Sequence, residues 1–208
     1  MKPTDTDALI VVDVQHDFLP GGALAVPDGD AVIAPINALM PRFTHVVLTQ
    51  DWHPAGHISF ASSHPERAPF EVVELAYGAQ VLWPDHCIQG TRGAEVTEAL
   101  VTTHVDLVIR KGTFPHTDSY SGFVEADRRT RTGLAGFLKE RGITRVVCVG
   151  LATDFCVSWT ALDARAEGFE TAVIEDACRG IDTSGSLAAA HEAWSRAGIR
   201  RLRTTDIG

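Results

Sequence analysis

The chain has 208 residues, of which 45% are apolar and 22% are charged, ordinary values for a folded globular protein. Chains of this length commonly fold as one α/β domain, so a single domain over residues 1–208 is expected. The formal net charge of −9 argues against nucleic acid as a partner, because phosphate binding needs a basic surface.

The N-terminal region has no leader or membrane-spanning pattern. Met1–Asp5 lacks a charged segment followed by an apolar one, and the apolar run Ala8–Val12 is far too short to cross a bilayer. The four cysteines form no C-x-x-C pair and are too sparse for a disulfide scaffold. We therefore expect a cytoplasmic protein with reduced thiols and without a membrane partner, and self-association is left open.

Short runs rich in Val and Ile recur along the chain and predict buried strands. They are Ala8–Val14, His45–Thr49, Asp106–Arg110, Arg145–Val149, Thr171–Glu175 and Ile199–Arg203. Amphipathic stretches between them predict helices, one around Leu134–Glu140 and another with an apolar face formed by Phe155, Trp159, Leu162 and Ala166. This alternation predicts a three-layer α/β/α fold with a central, mainly parallel, six-stranded sheet.

One long segment, Gln50–Gly90, interrupts the alternation of strands and helices. It is dense in His, Pro, Gly and Ser, and its only strand-like piece is Phe70–Leu75. Segments of this length in a compact domain are usually functional or disordered, and the Trp, His and Cys content argues against disorder. We therefore expect this segment to be ordered and functional.

Four chemically active side chains follow predicted strands, and these are Asp13, Asp51, Lys111 and, after a short turn, Cys156. Because the carboxyl ends of parallel strands meet at one edge of a sheet, all four are expected on one rim. Asp13 is the candidate base for the thiol, and Lys111 is expected to hold Asp13 and the thiol in place.

Cys156 is predicted to lie in the first turn of a helix that Thr153 or Asp154 caps. At that position the helix dipole and the free amide groups favour a thiolate and can hold an oxyanion. Cys148 and Cys178 fit better as buried, inert thiols. The position therefore singles out Cys156 as the candidate nucleophile.

The long segment offers two histidines and a carboxylate as metal ligands. Asp51 and His53 lie two residues apart and face one side of an extended chain, and His86 follows later. This set suits Zn²⁺, Fe²⁺ or Mn²⁺ with positions left for water and substrate, although His-rich loops also arise without metal. His57 or Ser59 would complete the shell, directly or through water.

Several segments resemble, in order, those of the isochorismatase-like cysteine hydrolases, and within them the nicotinamidases. They are ALIVVDVQHDF at residues 8–18, TQDWHP at 49–54, WPDHC at 83–87, GT at 90–91, KG at 111–112 and GLATDFCV at 150–157. The resemblance spans residues 8 to about 180. It implies an isochorismatase-like, Rossmann-like fold and a catalytic triad of Asp13, Lys111 and Cys156.

The same resemblance implies one divalent ion on Asp51, His53 and His86, with Zn²⁺ expected first and Fe²⁺ or Mn²⁺ as alternatives. Some members have a further histidine eight residues after the metal aspartate, where this chain has Ser59. It also implies a cis peptide between Leu151 and Ala152, and an oxyanion hole formed by the amides of Ala152 and Cys156.

The implied activity is hydrolysis of nicotinamide to nicotinate and ammonia through a cysteine thioester, with pyrazinamide as a second substrate. Phe18 and Trp83 are candidates to pack on the aromatic ring, Tyr120 to close the pocket and Leu151 to contact the substrate. Three alternatives stay open: an amidase for N-carbamoyl or ureido compounds, a catalytically silent binding protein, and a hydrolase in which the metal alone generates the nucleophile.

Overall fold

The computed structural model describes all 208 residues and contains a six-stranded, fully parallel central sheet. Its strands are β1 (Asp7–Val12), β2 (His45–Asp51), β5 (Leu107–Lys111), β6 (Arg145–Leu151), β7 (Glu170–Arg179) and β8 (Arg200–Leu202). The remaining elements are the hairpin strands β3 (Val72–Leu75) and β4 (Gly78–Val81) and the helices α1 (Ile33–Leu39), α2 (Leu134–Glu140), α3 (Ser158–Ala166) and α4 (Ser186–Ala197). The predicted fold class and all six predicted sheet strands are confirmed.

The alternation of side chains along β1 explains the three layers. Leu9 and Val11 belong to one apolar cluster, whereas Ala8, Ile10 and Val12 belong to a second cluster on the opposite face of the sheet. Helix α1 covers the first cluster, and α2, α3 and α4 cover the second. Both faces are therefore buried, which is why the central strands are apolar almost throughout.

The strand order β5-β2-β1-β6-β7-β8 places a topological switch point between β1 and β6. From that point the chain runs outward through β2 and β5 on one side and through β7 and β8 on the other. In open α/β sheets, ligands bind outside the carboxyl ends of the strands at such a point. The topology alone therefore predicts a ligand site at the segments that follow β1 and β6.

The helix predicted from Phe155 onward is present as α3, but the face predicted to be buried is wrong. Trp159 is 40% exposed and Ala166 is exposed, whereas Ala161 and Ala164 are fully buried. Helix α3 packs against both the sheet and α4, so small side chains face inward there. None of the four helices combines the length and hydropathy that a bilayer span requires.

The long segment between β2 and β5 is ordered around an antiparallel hairpin. The strand-like piece predicted at Phe70–Leu75 is β3, and its partner β4 lacks a clear signal in the sequence. Two isolated parallel bridges, His53 to Ile88 and Phe60 to Trp83, fasten the two halves of the segment together. The hairpin and these bridges hold the segment over the carboxyl end of the sheet.

Candidate active site

The carboxyl ends of four adjacent strands bring the predicted side chains to one edge of the sheet. Lys111 is the last residue of β5 and pairs in register with Asp51, the last residue of β2. Asp13 directly follows β1. Cys156 lies five residues beyond the end of β6, in a π-helical turn, Thr153–Val157, that leads into α3. The four side chains thus share one rim, and their roles are taken up under Proposed function.

The Lys111 ammonium group is the centre of the cluster. Its Nζ lies 2.8 Å from Asp13 Oδ2 and 3.4 Å from Cys156 Sγ, and it donates a hydrogen bond to the Ser119 carbonyl at 3.1 Å. Thr49 Oγ1 donates to Asp13 Oδ1 at 2.5 Å. Lys111 and Asp13 are fully buried, so the pair is shielded from solvent and held in one geometry.

Burial sets the resting protonation state of this cluster. Burial raises the pKa of the Cys156 thiol well above its usual value, against the opposing charge of Lys111. Burial also raises the pKa of Asp13, again against Lys111. For Lys111, burial lowers the pKa, but Asp13 and Asp51 outweigh it and hold the pKa well above its usual value. The lysine therefore stays charged, and Asp13 is a stronger base than an exposed aspartate.

Asp51, His53 and His86 form a compact group of metal-ligand atoms, all within 4.8 Å of one another. Asp51 Oδ2 lies 3.6 Å from His53 Nε2 and 3.8 Å from His86 Nε2. The Nδ1 atoms of the two rings are held by backbone carbonyls, His53 by Gly112 at 2.9 Å and His86 by Pro84 at 2.8 Å. Such supports orient ligand rings, so this donor set fits one divalent ion.

Asp51 belongs to the metal-ligand group and to the lysine cluster at once. Its Oδ1 accepts a hydrogen bond from Lys111, and its Oδ2 faces the histidines. Burial alone would raise the Asp51 pKa, but Lys111 and His53 outweigh burial and hold it well below its usual value. Asp13, Asp51 and Cys156 are also close together, but the Lys111 ammonium already neutralises that group and disfavours a cation there.

His57 and Ser59, the two candidates for a further ligand, bind each other. Ser59 Oγ lies 2.7 Å from His57 Nδ1, and His57 Nε2 lies 3.2 Å from the Thr117 carbonyl. Burial and the neighbouring His53 lower the His57 pKa to about 4, and the two rings stack with centroids 4.3 Å apart. His57 is therefore neutral near pH 7, and with His53 and Asp118 it forms a second group of possible ligand atoms within 4.8 Å of one another. A direct ligand role for Ser59 would require breaking its bond to His57.

A cavity opens above Cys156. The predicted residues Phe18, Trp83, Tyr120 and Ala152 line it together with Cys156, Asp51 and His86. Trp83 meets Phe155 edge to face at 4.9 Å between ring centroids, which makes this wall aromatic. Residues that also line the cavity but were not predicted are Leu24, Asp118, Ser119, Phe155 and Ile181.

Leu151 is the predicted substrate contact that the structure corrects. Its side chain is fully buried in the apolar cluster beneath the cavity and is not part of the cavity wall. The cause is strand alternation, because Leu151 is the last residue of β6 and its side chain points into the core. The peptide between Leu151 and Ala152 is cis, as the resemblance implied, and the Ala152 amide donates to no acceptor within the protein.

The predicted helix cap is also corrected. Neither Thr153 nor Asp154 caps the turn with its side chain. Asp154 instead accepts hydrogen bonds from the amides of Ile181 and Asp182 and from the Ser186 hydroxyl. Asp154 thereby fastens the loop after β7, and this loop brings Ile181 to the cavity. The thiol still lies in the first turn, as expected.

Known proteins identify the family and the fold of this chain. The family described as Isochorismatase domain matches residues 7–205. The chain belongs to the isochorismatase family. The nicotinamidase of Acinetobacter baylyi is 54% identical over 207 residues, which cover 100% of this chain and 97% of that protein.

Solved structures of similar proteins have the same fold. The Acinetobacter baumanii nicotinamidase pyrazinamidease superposes with a TM-score of 0.97 at 58% identity and covers 98% of both chains. The pyrazinamidase of Pyrococcus horikoshii, solved in complex with zinc, superposes with a TM-score of 0.78 at 38% identity. The latter match covers 95% of this chain and 99% of the Pyrococcus chain.

Glu125 is a buried carboxyl group near the site that the resemblance to the isochorismatase family did not single out. It is 3% exposed, and its Oε2 accepts a hydrogen bond from the Gly112 amide at 3.3 Å. The carbonyl of the same Gly112 holds His53. Burial raises the pKa of Glu125 to about 7. Nothing in the local sequence distinguishes this glutamate from a surface one.

We expect Glu125→Gln to remove part of the pH dependence of stability. Because the folded-state pKa is raised, folded Glu125 keeps a proton that the unfolded chain releases, so its contribution is lost as the pH rises from about 4.5 to about 7. The variant should gain on the order of 2 kcal/mol relative to wild type between pH 5 and pH 8. Urea unfolding at both pH values measures this, and a pH-independent difference would contradict it.

Proposed function

We propose that this protein hydrolyses nicotinamide to nicotinate and ammonia through a thioester on Cys156, with pyrazinamide as a second substrate. The observation that carries the proposal is the lysine-bridged pair of Asp13 and Cys156 at the floor of an aromatic-lined cavity. Full-length similarity to nicotinamidases supports the choice of substrate. The apolar wall suits a flat ring, and the buried acid and thiol suit acyl transfer.

The first half of the reaction forms the first tetrahedral intermediate on Cys156. Asp13 takes the proton of the Cys156 thiol, and the thiolate attacks the carboxamide carbon. The Lys111 ammonium holds both groups and stabilises the negative charge that moves between them. The amides of Ala152 and Cys156 are the proposed donors to the oxyanion, and the free Ala152 amide on the cavity wall supports this role.

The second half releases both products. Asp13 passes its proton to the departing nitrogen, and ammonia leaves as the tetrahedral intermediate collapses to a thioester. Asp13, now ionised, takes a proton from water, which attacks the thioester carbon. Collapse of this second intermediate frees nicotinate, and the proton on Asp13 returns to the sulfur. Thr49, bound to Asp13 Oδ1, keeps the carboxylate oriented through both halves.

Asp51, His53 and His86 are the residues that would hold one divalent ion, and Zn²⁺ is proposed because the Pyrococcus relative was solved with zinc. A bound ion supplies Lewis acidity for the ring nitrogen of the substrate or for water. The chain's own contribution is orientation, since Gly112 and Pro84 fix the two histidine rings. We also propose a cytoplasmic location, which the four free cysteines support.

The test is ammonia release from nicotinamide by purified protein, with and without a chelator. Turnover should fall on chelation and return when Zn²⁺, Mn²⁺ or Fe²⁺ is added. His86→Ala should lower metal affinity at least about tenfold, measured as bound metal per chain, because loss of a supporting group alone has that effect. The exposed His104 provides the matched control, since His104→Ala should keep its metal.

Absence of ammonia release from nicotinamide in both states would contradict the proposed substrate. If an N-carbamoyl compound then released ammonia rapidly, the alternative amidase activity would replace it. Undiminished turnover after complete removal of metal, verified by elemental analysis, would instead remove the ion from the proposal and leave the cysteine chemistry in place.

A further inference from the structure

A second cavity lies directly behind the wall of the first. Tyr120 is the residue that lines both cavities. Along the chain, Ser119 lines the first cavity and Ser121 lines the second. The single aromatic side chain of Tyr120 therefore stands between the two spaces.

The rings on either side of Tyr120 define this partition. Phe155, which lines the first cavity, lies 5.8 Å from Tyr120 between ring centroids. Trp159, which lines the second cavity, lies 5.9 Å from it. Val124 and Ala126 add apolar surface to the second cavity, so it offers an environment in which an aromatic ring is stable.

The hydroxyl end of Tyr120 is held by Trp83 and lies beside Gln80. Trp83 Nε1 donates to the Tyr120 oxygen at 3.0 Å. Gln80 Nε2 lies 3.1 Å from the same oxygen, but its two hydrogens also serve the Val81 carbonyl and Asp118 Oδ2, each at 2.7 Å. Gln80 belongs to β4 and is 1% exposed, although most of the hairpin faces solvent. Its Oε1 accepts from the Tyr77 hydroxyl at 3.0 Å, which fixes the orientation of the Gln80 amide.

We propose that Tyr120 is the specificity-determining partition of the active site, packed between Phe155 and Trp159, and that it limits the substrate to a single ring. Shortening this side chain joins the two cavities and admits bicyclic aromatic carboxamides. The inference rests on the proposed hydrolysis of an aromatic carboxamide. The β3–β4 hairpin lies against this partition, since Gln80 of β4 lines the second cavity and its Nε2 lies 3.1 Å from the Tyr120 oxygen.

The experiment compares Tyr120→Ala and Tyr120→Leu with wild type. The leucine variant keeps apolar packing against Phe155 and Trp159 if the alanine variant folds poorly. The kcat/KM values for nicotinamide and for quinoline-3-carboxamide give the selectivity ratio. Calorimetry gives the Kd values of nicotinate and quinoline-3-carboxylate, so that binding is measured independently of turnover.

Both variants should raise the bicyclic-to-monocyclic ratio at least about tenfold, because even one methylene in an apolar pocket changes selectivity by that order. Tyr120→Phe keeps the ring and should leave the ratio within about threefold of wild type. Trp159→Ala enlarges the second cavity without opening the partition and should likewise leave the ratio unchanged. A gain confined to the shortened side chains separates a partition from a general loosening of the wall.

The outcomes separate this inference from the proposed function. If wild type hydrolyses nicotinamide but neither shortened variant gains affinity for quinoline-3-carboxylate, the partition is disproved and the function stands. If wild type does not hydrolyse nicotinamide but the shortened variants bind the bicyclic acid better, the function fails and the partition stands. An equal gain in Trp159→Ala would also overturn the partition.

Discussion

Cys156→Ala is expected to reduce nicotinamide hydrolysis by about a thousandfold or more while leaving the fold intact. The thiol lies 3.4 Å from Lys111 Nζ and lines the cavity, and removal of a covalent nucleophile typically has an effect of at least this size. The side chain is small and buried at the cavity floor, so alanine leaves the packing nearly unchanged. Initial rates, together with circular dichroism of the variant, measure both parts of the prediction.

Cys148 offers the matched control for this substitution. It is a fully buried thiol in β6, and burial together with Cys178 raises its pKa far above the usual value. Cys148→Ala should therefore retain wild-type turnover per folded molecule. Rapid quenching and mass spectrometry should trap an acyl group on Cys156 of the wild-type protein. Substantial activity of Cys156→Ala, or no trapped acyl group, would favour a nucleophile generated by the metal alone.

Lys111→Met is expected to lower the free energy of unfolding by roughly 3 to 5 kcal/mol and to abolish turnover. The substitution keeps an unbranched side chain one atom shorter but leaves Asp13 and Asp51 without their shared cation in a buried environment. Removing one partner of a buried ion pair typically has a cost of this size, because the remaining charge is left without a partner. Urea unfolding monitored by tryptophan fluorescence gives the stability.

A surface ion pair provides the contrast for Lys111. Arg131 pairs with Glu167, but its side chain is 60% exposed, and Lys139 pairs with the same carboxylate. Arg131→Met should therefore change the free energy of unfolding by less than about 1 kcal/mol. Similar losses in the two variants would show that Lys111 does not neutralise the buried carboxylates. The difference between them measures the effect of burial.

The reactive residues could be predicted from sequence because each lies at a strand end. Apolar runs mark the strands, and parallel strands gather their carboxyl ends at one edge, so Asp13, Asp51 and Lys111 had to be near one another. The same reasoning would have found Ile181, which lies two residues beyond β7. Applied to β7 as well, the strand-end rule therefore adds Ile181 to the residues predicted to line the cavity.

Other features depend on contacts between distant segments and leave no local signal. The buried face of α3 is set by close packing against α4, where Trp194 Nε1 donates to Ser158 Oγ at 2.9 Å. The hairpin strand β4 has no clear apolar pattern, because its one deeply buried side chain is the polar Gln80. Asp154 resembles a helix cap by position but binds a loop 27 to 32 residues further along the chain. Local propensity cannot predict such partners.

The hydrolytic groups and the cavity wall have different structural origins. Asp13, Asp51 and Lys111 lie at or directly after the ends of strands of the six-stranded sheet, whereas Trp83 and Tyr120 are carried by connecting segments. Connecting segments tolerate insertion and replacement far better than buried strands do. After gene duplication, substitutions in the hairpin region can therefore change the amide substrate. The residues at the strand ends, which carry out the hydrolysis, stay the same.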